Sequence, residues 1–233
     1  MYNCRVTGAV DVYLETGSKR VFASAADWPG WSRGAKTEDA ALEALAAYGP
    51  RYAAVLRRRV PGFALPEDAS SLRVVDRTKG NATTDFGAPG VPARGEDKPM
   101  KPREAQRRLA VLKACWAALD RAAARAQGVT LTKGPRGGGR DLDQILRHVV
   151  EAEGGYLTRI GGKLRLTEGL ELAAGVRAAR ATALDTVAAR IRGEPAPENP
   201  RRTAPLWSLR YFIRRVAWHT LDHAWEIEDR SGG

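Results

Sequence analysis

Residues 218–230 read WHTLDHAWEIEDR and set His219 and His223 four apart, in a chain with three histidines in all. The third, His148, lies far upstream in DQILRHVVEAEGGYL, residues 143–157. Whether the three meet decides how the C-terminal half is built. Leu209, Ile213, Val216, Thr220 and Ile227 recur at spacings of three, four and seven, which makes them the inward stripe of a helix. At about 100° per residue, His223 falls at the margin of that stripe and His219 about 40° beyond it. An i, i+4 pair holds two Cβ atoms about 5–6 Å apart, close enough for two imidazoles to share one ion. Upstream, Leu142, Ile145, Leu146, Val149, Tyr156 and Ile160 mark the apolar face of a second helix, and His148 sits at its margin.

Taken singly, each histidine reads as an ordinary interfacial residue, and a lone HxxxH is a weak signal. Jointly, all three occupy compatible margins, and none is placed elsewhere. From residue 103 onward the pattern is helical throughout: 103–127 closed by Gly128, 140–160, a stretch opening at Thr167 or nearby, and 206–230. Four helices of that length predict a four-helix bundle, an architecture in which sites are built from side chains on facing helices.

Residues 103–231 resemble the DinB-like (DinB/YfiT-type) metal-binding four-helix bundles. The resemblance rests on a histidine in the second helix, ILRHVVEAEGGYL, and on HxxxH in the fourth, HTLDHAWEIEDR. It implies that His148, His219 and His223 hold a divalent metal, with coordination positions left open. It also implies a metal-dependent enzyme acting on a small molecule, in a family whose members include thiol-dependent transferases and an isomerase. A low-molecular-weight thiol cosubstrate and a transferase or hydrolase reaction are therefore expectations. Imidazole ligands suit zinc, nickel, copper and iron(II), with zinc or nickel the first expectation.

The first 60 residues differ. AVDVYLET (9–16) alternates Val10, Val12 and Leu14 with polar positions, the period of a half-buried strand. After the turn GSKR, RVFASAADW (20–28) predicts a second strand with Val21, Ala23 and Ala25 on one face. Thr37 is a candidate N-cap for the helical run 38–60, with Glu38 and Asp39 in its first turn and Arg57, Arg58 and Arg59 near its end, as the helix dipole favours. Pro50 should kink or divide that run. The stretch 20–50, with DWPGW as its turn and KTEDAALEAL opening the helix, is similar to the HicB-like pattern, a small ββαβ module known for masking a toxin ribonuclease. No helix-turn-helix follows it here, which points instead to a module serving the adjoining domain. The expected organisation is α+β: a HicB-like module over 1–66, a linker or lid over 67–102 with one strand at SLRVVDR, and a DinB-like bundle over 103–231.

Other residues are weaker candidates. Glu226 lies one turn beyond His223; it is a catalytic base, a partner that orients a ligand, or simply an i+4 mate for Arg230. Glu151, a turn from His148, carries the same ambiguity. Glu153 falls within the apolar face of its helix and needs a buried partner, for which an arginine is the expectation. Trp218 and Trp225 either wall a pocket or pack. The loop TKGPRGGGRD lacks the P-loop order, but Lys133, Arg136 and Arg140 could meet an anionic group of a substrate. Cys115 reads as inert core.

The chain has 233 residues, 43% of them hydrophobic, so it can bury a substantial core. Its formal charge of +11 suggests nucleic acid, yet the arginines are scattered without a block of like charge, which points away from that partner. The remaining alternative to an enzyme is a non-catalytic module that binds protein or RNA, with the bundle as scaffold. Two cysteines without CxxC spacing, and no basic-then-apolar leader pattern, suggest a reduced cytoplasmic protein. No run is apolar enough to span a bilayer, so no membrane partner is expected, and a homodimer is left open.

Overall fold

The computed structural model describes residues 9–57, 60–134, 139–166, 169–198 and 204–232. The protein is α+β, with the order β1 (Val10–Thr16), β2 (Val21–Ala25), β3 (Ser32–Ala35), α1 (Glu38–Ala47), α2 (Gly49–Leu56), β4 (Leu72–Lys79), α3 (Ala82–Phe86), α4 (Pro102–Arg125), α5 (Leu142–Thr158), α6 (Leu172–Ile191) and α7 (Leu209–Arg230). Two compact units divide the chain. One takes in Met1–Glu96, Lys101–Cys115 and Ile213–Trp218; the other takes in Asp97–Met100, Trp116–Phe212 and His219–Gly233. No helix among the described residues is long and apolar enough to cross a membrane.

The first unit is built on a four-stranded sheet of order β3-β2-β1-β4. β1 and β2 pair antiparallel, β2 and β3 likewise, and β4 runs parallel to β1 with a register shift at Val12/Tyr13. The expected ββαβ order is therefore corrected by an additional strand: Gly30, at φ 92°, turns the chain after Trp28 and Pro29 so that residues 32–35 pair back onto β2. The half-buried reading of the first strand is corrected too. All five residues of β2 are buried, and β1 buries Tyr13 and Glu15 along with Val10, Val12 and Leu14. Both faces of these strands are covered.

A buried carboxylate must be hydrogen-bonded, and Glu15 is. It accepts from Thr84 Oγ1 at 2.5 Å, Gly90 N at 2.8 Å and Val91 N at 3.1 Å. Arg214 holds the same segment, with Nε and Nη2 on the Glu96 carboxylate at 2.7 and 2.8 Å and Nη2 on the Val91 carbonyl. The stretch TDFGAPGVP is thus tied into this unit. Trp218 packs edge-on against Phe22, its ring centroid 6.2 Å away, in a cluster with Ala88. It is a packing residue.

Thr37 caps α1, its hydroxyl accepting from Ala40 N. Pro50 divides the run as the sequence requires, ending α1 at Ala47 and entering the first turn of α2. Arg57 follows α2 and bonds back to the Ala54 carbonyl, whereas Arg58 and Arg59 lie outside the described residues. The core of this unit centres on Trp31, which is fully buried, stacks on Tyr52 with centroids 5.4 Å apart, and donates its indole N–H to the Leu45 carbonyl.

In the second unit the apolar stripes meet as their periodicity demands. Leu119, Ala122, Ala123 and Ala126 of α4, Leu142, Ile145 and Val149 of α5, and Ala224 and Ile227 of α7 form one core. Gly128, at φ 74°, follows the end of α4. α6 packs on α5 and buries Gly175, Ala179, Ala183 and Val187 at four-residue spacing. The expected start of α6 at Thr167 lies outside the described residues, and the helix begins at Leu172.

Trp31→Ala is expected to destabilise the first unit by about 3–5 kcal/mol, the cost of emptying a large aromatic site. A urea titration would register this as a lowered midpoint, and a midpoint equal to that of the wild type would refute the packing described.

Candidate metal centre

Each of the two helices that carry the histidines has a capped start. Asp141 caps α5 in a capping box with Gln144, and Ser208 caps α7 through Tyr211 N. With Ile145 and Val149 of α5, and Ala224 and Ile227 of α7, in one core, His148 and the His219/His223 pair are turned toward each other at its edge.

His148, His219 and His223 form a group whose ligand atoms all lie within 4.8 Å of one another, close enough to bind a metal ion. His219 and His223 are buried, and His148 is half-buried. The three Nε2 atoms face inward: His219 Nε2 stands 3.2 Å from His148 Nε2 and 3.2 Å from His223 Nε2. The ring planes are steeply inclined, at 61°, 82° and 82°.

Two features of this arrangement fit a cation. A ring nitrogen has one in-plane site, either a proton or a lone pair, so His219 Nε2 cannot satisfy both neighbours by hydrogen bonding. A shared cation satisfies all three lone pairs at once. The spacing also agrees, since zinc–nitrogen bonds of about 2.0–2.1 Å put tetrahedral ligands ~3.3 Å apart.

The tautomer of His223 is fixed from behind. Its Nδ1 lies 2.8 Å from Glu226 Oε2, and Glu226 Oε1 accepts from Arg230 Nη1 at 2.7 Å. The bond from His223, and then Arg230, hold the Glu226 carboxyl below its usual range against an opposing contribution from burial. An ionised Glu226 keeps the proton on His223 Nδ1 and leaves the Nε2 lone pair for a ligand bond. Arg230 is itself buried and spends its other donors on backbone, Nε on the Thr132 carbonyl at 2.6 Å and Nη2 on the Arg140 carbonyl at 2.7 Å. Burial, and after it His223 and Arg140, push the His148 imidazole below its ordinary value, against weaker pulls from Glu151 and Glu226.

The remaining candidates scatter. Glu226 reaches the centre through His223 and also pairs with Arg230, so two of its three readings hold together. Glu151 is exposed and acts on His148 only by its charge. Arg140 brings its charge near His148 and its carbonyl to Arg230, Lys133 is exposed, and Arg136 lies outside the described residues. Cys115 is buried, and desolvation pushes its thiol far up. Trp225 is buried.

The arginine partner expected for Glu153 is corrected. Its Oε1 accepts hydrogen bonds from Trp116 Nε1 at 2.9 Å and Thr220 Oγ1 at 3.2 Å, while Arg180 contributes charge alone. Indole and hydroxyl donors sufficed where a guanidinium was anticipated. The sequence reading also passed over Tyr156 as a neighbour of the histidines. Its ring meets His219 edge-on at 5.7 Å, and Trp207 lies 5.6 Å beyond it. The signal available was the i, i+8 spacing from His148 to Tyr156, which sets Tyr156 about 80° round the helix from His148, within one broad stripe.

No family model, no curated protein and no solved structure matches this chain. The centre is therefore understood from its own geometry.

Burial raises the Glu153 carboxyl, and the bond from Trp116 only partly offsets it. A folded-state value above the unfolded one contributes stability that is complete below about pH 4.3 and is lost as pH climbs through the folded value. Glu153→Gln keeps an acceptor for Trp116 and Thr220 but cannot ionise. Its stability relative to wild type should rise as pH climbs above about 4.3. Urea midpoints across that range would show it, and a constant offset would contradict the assignment.

Proposed function

We propose that this chain is a metal-dependent enzyme acting on a small molecule, with His148, His219 and His223 as ligands of one divalent transition metal, zinc or nickel. The observation that carries this reading is the convergence of three Nε2 atoms, two of them 3.2 Å from the third. Three protein ligands suit a catalytic site, since structural zinc is normally closed by four. The resemblance of the His148 and HxxxH pattern to DinB-like bundles supports the same reading and adds thiol-dependent transfer or hydrolysis as the reaction class.

When bound, such a metal supplies Lewis acidity toward an oxygen or sulfur atom. The chain's own residues do the rest. His219 and His223 hold their lone pairs in a buried setting that excludes bulk water, and half-buried His148 leaves the centre an approach. Glu226 retains the proton at His223 Nδ1, and Arg230 holds Glu226 in place. Glu226 is thus a positioning residue.

Elemental analysis of tag-free protein should find about one equivalent of a transition metal, lost in the His219→Ala/His223→Ala variant. Thiol-dependent turnover of electrophiles should vanish with it, and turnover that survives the double substitution overturns the reading. Metal uptake should fall as pH drops through the imidazole range, because each ligand must be deprotonated. Glu226→Gln should weaken metal affinity by about tenfold to a hundredfold with the fold intact, read by competition with a chelating dye.

A further inference from the structure

Beside the three histidines stands a set of aromatic rings, two of which keep part of their surfaces in solvent. Tyr156 lies two helical turns beyond His148 on α5, about 12 Å along the axis, with Ala152 midway on the same face. Ala152 is small and half-buried, so little side chain stands between His148 and Tyr156. The Tyr156 ring meets His219 edge-on. Trp207, just before α7, lies tilted at 33° to Tyr156 with centroids 5.6 Å apart, and Tyr211 backs it at 4.6 Å. Tyr211 is buried, whereas Tyr156 and Trp207 keep part of their surfaces in solvent.

At the far end lies Arg159, the residue after α5. Its Cζ sits 5.4 Å from the Trp207 ring centroid. Its backbone is fixed on both sides, N–H to the Tyr156 carbonyl at 3.0 Å and carbonyl to the Trp207 N–H at 2.7 Å. Its Nε is buried and has no hydrogen-bond partner among the described residues. A guanidinium laid on an indole keeps its edge donors for a planar anion, and a buried donor without a partner is a cost that a bound acceptor would relieve. Half-exposed aromatic faces with a charged donor at one end and a three-histidine centre at the other are the parts of a small-molecule site.

We propose that Tyr156, Trp207 and Arg159 form a recognition shelf for a small molecule with a flat π-bearing unit and a terminal carboxylate or phosphate. The flat unit lies against Trp207 and Tyr156, the anion meets Arg159, and the opposite end reaches toward the histidines. The shelf itself stands on its own residues. Only the claim that the ligand's other end reacts at the centre rests on the function proposed above.

The test titrates the full chain, both zinc-loaded and chelator-stripped, with 2-naphthoate, 2-naphthyl phosphate and uncharged 2-naphthamide, followed by calorimetry. At least one anion should bind roughly tenfold or more tighter than the amide, the scale of one charge-assisted hydrogen bond, and should still do so after metal removal. Which anion binds tighter identifies carboxylate or phosphate as the natural group. Arg159→Gln should bring that anion down to the level of the amide, with Arg159→Lys recovering part of the difference. Trp207→Ala should weaken all three probes, and Trp207→Phe should retain them; metal content and melting temperature should stay at wild-type values in the Arg159 variants. Equal binding of acid and amide, wild-type binding by Arg159→Gln, or no binding up to the solubility of the probes overturns the proposal. Naphthoate bound by a chain that takes up no metal upholds the shelf and removes the metal-dependent reading; metal uptake without any probe binding does the reverse.

Discussion

The centre depends on a buried charge that is fully occupied. Arg230 lies near the end of α7 with its guanidinium shared among one carboxylate, Glu226, and two backbone carbonyls, those of Thr132 and Arg140. A buried guanidinium without such partners would be strongly destabilising. The bond from His223, and then this arginine, hold the Glu226 carboxyl below its usual range, and His223, bonded to Glu226 through Nδ1, turns its Nε2 toward His219. The same arginine fixes both ends of the glycine-rich connection before α5, since Thr132 also bonds back to the Arg230 carbonyl. The geometry at His223 and the local course of the chain thus share one anchor.

Buried polar groups elsewhere follow the same rule by different means. Glu153 sits within an apolar face and is satisfied by an indole and a hydroxyl; neutral donors leave its carboxyl biased toward the protonated form. Glu15 is satisfied by one hydroxyl and two backbone amides. Arg214 meets Glu96 as a two-point ion pair through Nε and Nη2, a geometry that suits the planar fork of a guanidinium. In each case the partner comes from a segment distant in sequence, so burial and chain course were settled together.

The aromatic residues near His219 divide by exposure. Trp218 and Trp225, the large rings closest in sequence to His219 and His223, are buried. Tyr156, farther away in sequence, keeps solvent-facing surface next to the His219 imidazole, and Trp207 keeps its own beside Tyr156. Of the two readings open for Trp218 and Trp225, burial favours packing.

Much of this was legible in the residues themselves. Period-3.6 stripes marked the long helices, Thr37 marked a helix start, Pro50 marked a division, and three histidines at the margins of two apolar faces marked the centre, because helical spacing converts directly into direction. Other features were decided by tertiary structure. The strand at Ser32–Ala35 carries no alternation of its own and exists because β2 offers it an edge. Burial of both faces of β1 and β2 follows from what packs over the sheet, which a period-2 pattern cannot report. The partners of Glu153 and the placing of Trp207 beside Tyr156 needed two segments brought together. Sequence by itself determined which residues share a face, a matter of local backbone geometry; only the tertiary structure decided which faces meet, because that depends on contacts between residues far apart along the chain.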